Sequence, residues 1–205
     1  MLSSLNLESL FSEATSQHLA LVQQLDALRP RLEEVAGRMT QALLKGNKIL
    51  WCGNGGSASD AQHLSAELVG RYRRDRAALA SMALTENAAA VIGIANDYGF
   101  HDVFARQVEA LCQPGDVFVG ISTSGNSRNV AVALERARQI GAFTVAITGE
   151  HGGRMGGAAN VWLRIPSSDT ARIQEAYMLC GHMVCDWVEL ATCISNAVEV
   201  RRNVG

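Results

Sequence analysis

Two short segments rich in glycine and hydroxyl residues are the clearest candidates for chemistry in this chain of 205 residues. The first reads Gly53-Asn54-Gly55-Gly56-Ser57, and the second reads Ser122-Thr123-Ser124-Gly125-Asn126-Ser127. Glycine lets backbone N–H groups approach an anion, hydroxyls donate further hydrogen bonds, and a following helix N-terminus adds positive potential. Either loop alone is equally well explained as a turn with a helix cap. Two such loops in one chain favour a phosphorylated ligand.

The first loop also fits the Gly-x-Gly-x-x-Ala pattern of dinucleotide-binding proteins, at Gly53, Gly55 and Ala58. That fold places an acidic partner for the ribose about 20 residues further on, at the end of the next strand. The nearest acidic residue by strand position is Glu86, which lies well beyond that distance. The dinucleotide interpretation is therefore weak, and we expect no nucleotide cofactor.

A histidine and a glutamate follow the first loop at helical spacing. His63 and Glu67 are four residues apart, so a helix places both side chains on one face, about one turn beyond the loop. Such a pair can share a metal ion or cooperate in proton transfer, although a lone pair of this kind is more often a surface pair or a capping contact. Arg71 follows closely and is suited to neutralising a phosphate.

Two later polar positions have both structural and functional interpretations. His182 lies in the apolar run Tyr177-Met-Leu-Cys-Gly-His-Met-Val-Cys, where a histidine is more often a core residue than a catalytic one. Asn96 and Asp97 end a predicted helix, where they serve either as a cap and turn or as a polar pair directed at sugar hydroxyls.

The elements that must position these residues follow from the apolar periodicity. The first 45 residues predict two helices separated at Pro30, the second running from about Arg31 to Lys45. Five continuous apolar runs predict the strands of a parallel sheet that is covered on both faces, and these runs are 48–52, 79–84, 117–122, 143–148 and 161–165. Helical patterns intervene at about 56–70, 88–95, 102–111 and 127–140, and a long helix begins near Thr170 and ends near Val198. The chain therefore predicts one α/β domain.

Composition excludes several classes of protein. Hydrophobic residues make up 48% of the chain and charged residues 19%, which excludes intrinsic disorder and leaves apolar surface for an oligomer. A net charge of −2 gives no basic field for nucleic acid or an anionic membrane. The longest stretch without charge, Ala14–Leu25, falls short of the about 20 residues that a membrane span needs, and the N-terminus lacks the features of a signal peptide. Five cysteines without a pairing pattern indicate reduced thiols in a cytoplasmic protein.

Together, these segments resemble the phosphoheptose isomerases (sedoheptulose 7-phosphate isomerases), a branch of the sugar-isomerase (SIS) domain superfamily. The resemblance extends in order from about Lys45 to Val188 and adds a helical N-terminal arm. The motifs that carry it are Cys52-Gly-Asn-Gly-Gly-Ser-Ala, Asp60-Ala-Gln-His63, Glu67, Gly70-Arg-Tyr-Arg, Ala95-Asn-Asp-Tyr-Gly-Phe, Gly120-Ile-Ser-Thr-Ser-Gly-Asn-Ser, Thr148-Gly, Gly152-Gly, Arg164-Ile-Pro and Arg172-Ile-Gln-Glu.

The resemblance implies a single SIS domain over residues 1–205, with a helical arm over about 1–45, a five-stranded parallel core over 46–168 and a C-terminal helix over 169–200. It implies a homotetramer with active sites at subunit interfaces. The implied reaction converts sedoheptulose 7-phosphate to D-glycero-D-manno-heptose 7-phosphate through an enediol. This is the first step toward ADP- or GDP-heptose for lipopolysaccharide or surface glycans.

The same resemblance assigns roles to residues of this sequence. Glu67 and His182 occupy the positions of the family's base and acid. One zinc ion per subunit is expected, at His63, Glu67, Gln174 and His182. The expected substrate-binding residues lie mainly on the two loops, and they are Asn54, Gly55, Gly56, Ser57, Glu67, Arg71, Asn96, Asp97, Ser122, Thr123, Ser124, Ser127 and Gln174.

A relative that associates with a replication initiator keeps this fold but lacks the Glu and His pair, so a non-catalytic binding protein is the alternative. This chain keeps both Glu67 and His182. Gln174 and His182 are eight residues apart on one helix, which separates their Cα atoms by about 12 Å along the axis. We therefore expect a composite site assembled from two subunits, in which Glu67 and His182 of different chains complement one another.

Overall fold

The computed structural model describes the backbone of residues 6–204 and the side chains of residues 6–195. Five parallel strands form one sheet in the order β2-β1-β3-β4-β5. The strands are β1 (Ile49–Gly53), β2 (Ser81–Ala83), β3 (Val117–Ile121), β4 (Phe143–Thr148) and β5 (Val161–Arg164). The α-helices are α1 (Leu7–Val22), α2 (Arg29–Leu44), α3 (Gly56–Val69), α4 (Ala88–Tyr98), α5 (Ala105–Leu111), α6 (Arg128–Ile140) and α7 (Thr170–Val204). The predicted α/β architecture with helical arms is confirmed.

Alternation along the inner strands divides the core into two layers. In β1, Ile49 and Trp51 join the cluster that α2, α3 and α7 cover, whereas Leu50 and Cys52 join the cluster under α5 and α6. Successive side chains of a strand point to opposite faces, so a continuous apolar run fills both layers. This is why the sequence shows unbroken apolar runs at the strands.

Helix boundaries differ from the predicted ones in several places, and α4 and α7 extend to Tyr98 and Val204, beyond the predicted ends at 95 and 198. The first break is a 3-10 turn at Leu25–Leu28, and Pro30 lies in the first turn of α2. Proline is tolerated there because the first N–H groups of a helix have no intrahelical acceptor. The helix predicted from Asp102 begins instead at Ala105, after a 3-10 turn at Phe100–Asp102.

The N-terminal helix packs across the beginning of the C-terminal one through polar contacts. His18 Nδ1 lies 2.8 Å from Glu175 Oε2, and Arg172 donates to the carbonyl oxygen of Ala14 over 2.7 Å. These contacts fix α1 beside α7, at the carboxyl edge of the sheet. Among the described residues, no helix combines the length and apolar character needed to cross a membrane.

All five cysteines are free, and Cys52, Cys112, Cys180 and Cys185 are buried. Burial raises the pKa of Cys180 to about 11 and the pKa of Cys185 to about 12. Both thiols are therefore protonated at neutral pH, which removes the reactive thiolate form.

Candidate active site

The loop between β1 and α3 is shaped by glycines at positions where a side chain does not fit. A Cβ on Gly53 would lie 2.6 Å from the carbonyl oxygen of Ser57, and Gly55 has a φ of +55°. A Cβ on Gly56 would lie 2.6 Å from Nε2 of Gln174. The loop therefore leads directly into the N-terminus of α3, and the space beside Gly55 is open.

The loop between β3 and α6 gathers three serine hydroxyls. Ser122 Oγ lies 2.8 Å from Ser127 Oγ and 3.5 Å from Ser124 Oγ. Ser127 is the residue before α6, so these hydroxyls stand at a helix N-terminus. Gly125, with a φ of +68°, lets the loop pass against the backbone of Gly152. Together the hydroxyls and the helix N-terminus form a cradle of the kind that can bind an anion.

The two loops lie side by side because β1 and β3 are neighbours in the sheet. Asn54 of the first loop and Asn129 of α6 exchange two side-chain hydrogen bonds, each 2.9 Å long. Asn129 is buried, and its oxygen also accepts from the N–H of Val130. This amide pair fixes the spacing of the two loops, so one ligand can contact both.

A polar cavity opens beside the second loop. Its volume is about 260 Å³, and its walls include Thr123, Ser124 and Asn126 on one side. Glu150, His151 and Ser168 stand on the other side. The cavity adjoins the serine cradle and has the polar lining that a sugar phosphate requires.

Ser57, Tyr177 and Asp60 form a hydrogen-bonded chain under the first loop. The hydroxyl of Tyr177 donates to Asp60 Oδ2 over 2.5 Å and lies 3.0 Å from Ser57 Oγ. Burial, together with the Asp60 carboxylate, raises the pKa of Tyr177, so the phenol keeps its proton. Because that proton goes to Asp60, the Ser57 hydroxyl donates its own proton to the Tyr177 oxygen. The sequence analysis did not assign Tyr177 or Asp60 a role in the site.

Glu67, His63 and His182 meet beyond the first loop. His63 Nε2 lies 3.1 Å from Glu67 Oε1 and 3.3 Å from His182 Nε2. The close contact between α3 and α7 depends on Gly181, since a Cβ there would lie 2.7 Å from Leu64. The predicted base and acid are therefore neighbours in space, although Glu67 and His182 are 115 positions apart in the sequence.

The donor set of this cluster fits a zinc ion. The three ligand atoms of His63, Glu67 and His182 all lie within 4.8 Å of one another. Nε2 of His63 faces both a carboxylate oxygen and a second imidazole nitrogen. Either its N–H is shared between two acceptors, or it accepts from His182 and meets the carboxylate with no hydrogen between them. Zinc prefers such nitrogen and oxygen ligands, and a cation would satisfy the converging lone pairs together.

Gln174 occupies a different part of the site within one chain. It lies against Gly56 of the first loop, while His182 lies two turns further along the continuous helix α7. Glu67 and His182, by contrast, come together in the same chain. The expectation that these two residues complement one another from different subunits is therefore wrong for this pair. The expected role of Gln174 as a metal ligand stays a prediction.

The remaining predicted residues lie on exposed surface. Asn96 donates to Asp97 Oδ1 over 2.8 Å at the end of α4, and both side chains are exposed. Arg71 is also exposed, on the segment after α3. The described contacts do not join these three residues to either loop, so their predicted role in substrate binding stays a prediction.

Two residues near the cluster were not found from the sequence. The ring of Tyr72 stacks on His182, with centroids 5.5 Å apart and planes inclined by 17°. The buried carboxylate of Glu189 accepts hydrogen bonds from the backbone of the segment that carries Tyr72. An acidic residue inside the apolar pattern of α7 was the available signal for Glu189.

Comparison with known proteins gives one consistent result. A family model described as the SIS domain matches residues 15–149. The phosphoheptose isomerase of Helicobacter hepaticus is 46% identical over 183 residues, which is 89% of this chain and 93% of that protein. The phosphoheptose isomerase of Aquifex aeolicus is 46% identical over 186 residues, 91% of this chain and 96% of that protein. The solved structure of the phosphoheptose isomerase of Neisseria gonorrhoeae is 40% identical with a TM-score of 0.83, covering 90% of this chain and 99% of that one.

Proposed function

Since the chain belongs to the phosphoheptose isomerase family of SIS-domain enzymes, we propose that it converts sedoheptulose 7-phosphate to D-glycero-D-manno-heptose 7-phosphate. The observation that carries this proposal is the position of the Glu67, His63 and His182 cluster, further along the helix α3 that begins at the first of the two loops. An isomerase for sugar phosphates needs this combination, because it must hold a phosphate and move a proton elsewhere on the same molecule.

The phosphate would bind between the two loops. Ser122, Ser124 and Ser127 offer hydroxyls, and the N-termini of α3 and α6 add N–H groups and positive potential. Ser57 is buried and its hydroxyl is engaged with Tyr177, so its contribution would come from its backbone N–H.

Proton transfer would use Glu67 and His182. Glu67 removes the proton from C1 of the ketose while His182 donates a proton to the carbonyl oxygen on C2, which gives the enediol. Glu67 then returns its proton to C2, and His182 takes the hydroxyl proton from O1, which leaves the aldehyde at C1. Both side chains end in their starting states, so one base and one acid complete the reaction.

A zinc ion would be held by His63, Glu67 and His182, with Gln174 supplied by a neighbouring subunit. Because Nε2 of His182 is the nitrogen that faces the cluster, His182 would exchange its proton through Nδ1. Bound zinc would supply Lewis-acid stabilisation to the oxyanion that develops during the reaction. The support for one zinc per subunit is the convergence of three ligand atoms within 4.8 Å.

We also propose a homotetramer whose active sites lie at subunit interfaces. Phe11 of α1 and Trp187 of α7 are 69% and 53% exposed, and these two helices pack against each other. A monomeric protein rarely exposes large apolar side chains on adjacent helices. A cytoplasmic enzyme acting at the first step toward ADP- or GDP-heptose for lipopolysaccharide or surface glycans is consistent with the substrate proposed.

The test is incubation of the purified protein with sedoheptulose 7-phosphate, with and without added zinc, and identification of the product by NMR. We expect the wild-type protein to produce the aldose 7-phosphate. We expect the Glu67→Gln variant to bind inorganic phosphate but to produce no aldose. Binding without any turnover by the wild-type protein would instead support the alternative, a non-catalytic sugar-phosphate-binding regulator or replication-initiator-associating adaptor.

A further inference from the structure

Glu189 is a fully buried carboxylate in the middle of α7. Its two oxygens accept hydrogen bonds from three successive backbone N–H groups, those of Tyr72, Arg73 and Arg74, at 3.0, 2.9 and 2.8 Å. Three consecutive N–H groups directed at one carboxylate fix the path of the backbone over that segment. We call this arrangement the Glu189 clamp.

The clamp holds an ionised carboxylate. Burial alone would raise the pKa of Glu189, but the three backbone hydrogen bonds and the charge of Arg76 outweigh it and lower the pKa below its ordinary value. Arg76 Nε lies 3.2 Å from Glu189 Oε1, and its side chain is only 5% exposed. Arg76 also donates to the carbonyl oxygen of Glu67 over 2.9 Å. The clamp therefore ties α7 to the end of α3, where Glu67 stands.

The segment held by the clamp places an aromatic ring on the predicted acid. Tyr72 stacks on His182 with its plane inclined by 17°, while His63 lies edge-on to the same imidazole with centroids 5.1 Å apart. His182 and Glu189 are seven residues apart, which puts them on the same side of α7. One face of the His182 ring is thus fixed by Tyr72 and its edge by His63.

We propose that Glu189 and Tyr72 are positioning residues of the isomerase, and that Glu189 sets the orientation of His182 through the stacked ring of Tyr72. An imidazole turns about two side-chain torsions, and a proton donor must point at the oxygen that it protonates. The effect of the clamp on turnover rests on the proposed function, whereas its effect on the orientation of His182 does not.

The first experiment compares Tyr72→Leu with Tyr72→Phe. Tyr72→Leu removes the stacking ring from a half-buried position, so we expect turnover to fall about 10- to 100-fold, the scale of a small misplacement of a reacting group. Tyr72→Phe keeps the ring, so we expect turnover close to that of the wild type. Inhibition by inorganic phosphate is expected to be unchanged in both variants, because the phosphate loops lie elsewhere. Equal turnover in the two variants would overturn the proposal.

The second experiment tests whether Glu189 acts through Tyr72. Glu189→Gln directs an amide N–H at backbone N–H donors, so we expect it to release the segment and lower turnover as Tyr72→Leu does. The double variant that combines Tyr72→Leu with Glu189→Gln is then expected to turn over no more slowly than Tyr72→Leu alone. If the two residues acted independently, the two losses of turnover would multiply. Asp186→Asn is the matched control. Asp186 lies on α7 like Glu189, but it pairs with the side chains of Arg73 and Arg74 and not with their backbone N–H groups, so the variant is expected to leave turnover unchanged.

A third measurement does not depend on turnover. The ring protons of His182 in the wild-type protein are expected to show an upfield NMR shift from the stacked Tyr72 ring, and this shift is expected to disappear in Tyr72→Leu and Glu189→Gln. If the wild type shows the shift but converts no sugar phosphate, the proposed function fails and the clamp stands. If Glu189→Gln does not fold, Tyr72→Leu and Tyr72→Phe still decide the proposal, and a His182 signal that is the same in both variants refutes it.

Discussion

Removing the hydroxyl of Ser122 is the sharpest test of where the phosphate binds. Ser122 is 5% exposed, and its Oγ stands between Ser127 and Ser124 at the N-terminus of α6. A hydrogen bond to a charged group contributes about 1.5–3 kcal/mol, whereas the lost contact with Ser127, between two neutral hydroxyls, contributes only about 0.5–1.5 kcal/mol. Ser122→Ala should therefore weaken phosphate binding more than it weakens the fold.

The expected loss of phosphate affinity is roughly 10- to 150-fold, from the conversion of 1.4 kcal/mol per factor of ten. The assay is the inhibition constant of inorganic phosphate in the isomerase reaction, checked by calorimetric titration. Ser65→Ala is the matched control, because it removes another buried hydroxyl, one that contacts Ser81 instead of the cradle. An unchanged inhibition constant in Ser122→Ala, with a folded protein, would show that the anion binds elsewhere.

Three further predictions concern the base, the assembly of the site and the stability of the fold. Glu67→Gln should lower turnover by about 10²- to 10⁴-fold without changing inhibition by phosphate, and near-normal turnover would assign the base to another group. A mixture of Glu67→Gln and His182→Ala subunits should remain inactive under exchange conditions, because one chain supplies both residues of a site. A mixture of Glu67→Gln and Gln174→Ala subunits should regain activity. Recovery in the first mixture would contradict the single-chain cluster. Asp116→Asn should destabilise the fold, because hydrogen bonds and the ion pair with Lys48 outweigh burial and lower the pKa of this fully buried carboxyl below its ordinary 3.8. A lowered folded pKa means that the stabilisation is present above pH 3.8 and is lost as the pH falls through the folded value, so the variant should flatten the acid limb of a pH–stability curve.

The sequence predicts the bounds of an inner strand, β4, better than those of the edge strand β2. Strand β4 begins and ends at the predicted residues, because Phe143–Thr148 is a continuous apolar run in the interior of the sheet. Strand β2 is confined to Ser81–Ala83, shorter than the predicted run from Leu79, whose N–H bonds to the carbonyl oxygen of Leu68 instead. An apolar run indicates which residues are buried. At an edge strand, a residue such as Leu79 can be packed against the core without pairing in the sheet.

The sequence likewise predicts the contacts of the site that form within one helix better than those between distant segments. The spacing of His63 and Glu67 predicts a shared helix face, and the structure places them 3.1 Å apart. No local pattern predicts that His182 reaches them, because that contact requires Gly181 to bring α7 against α3. Glu189 was missed for a related reason, since its partners are backbone N–H groups that no side-chain pattern reveals.

The position of Gln174 links the chemistry to the assembly. Helix α7 is continuous from Thr170 to Val204, so Gln174 and His182 stay about 12 Å apart along its axis. Within one chain, Gln174 therefore lies against Gly56 at the first phosphate loop, while His182 lies beside His63. If Gln174 also ligates the metal, as the family resemblance implies, the metal cluster must take it from a second copy of the chain. The apolar side chains exposed on α1 and α7 offer the surface for that contact, and the mixture of Glu67→Gln with Gln174→Ala measures whether it forms.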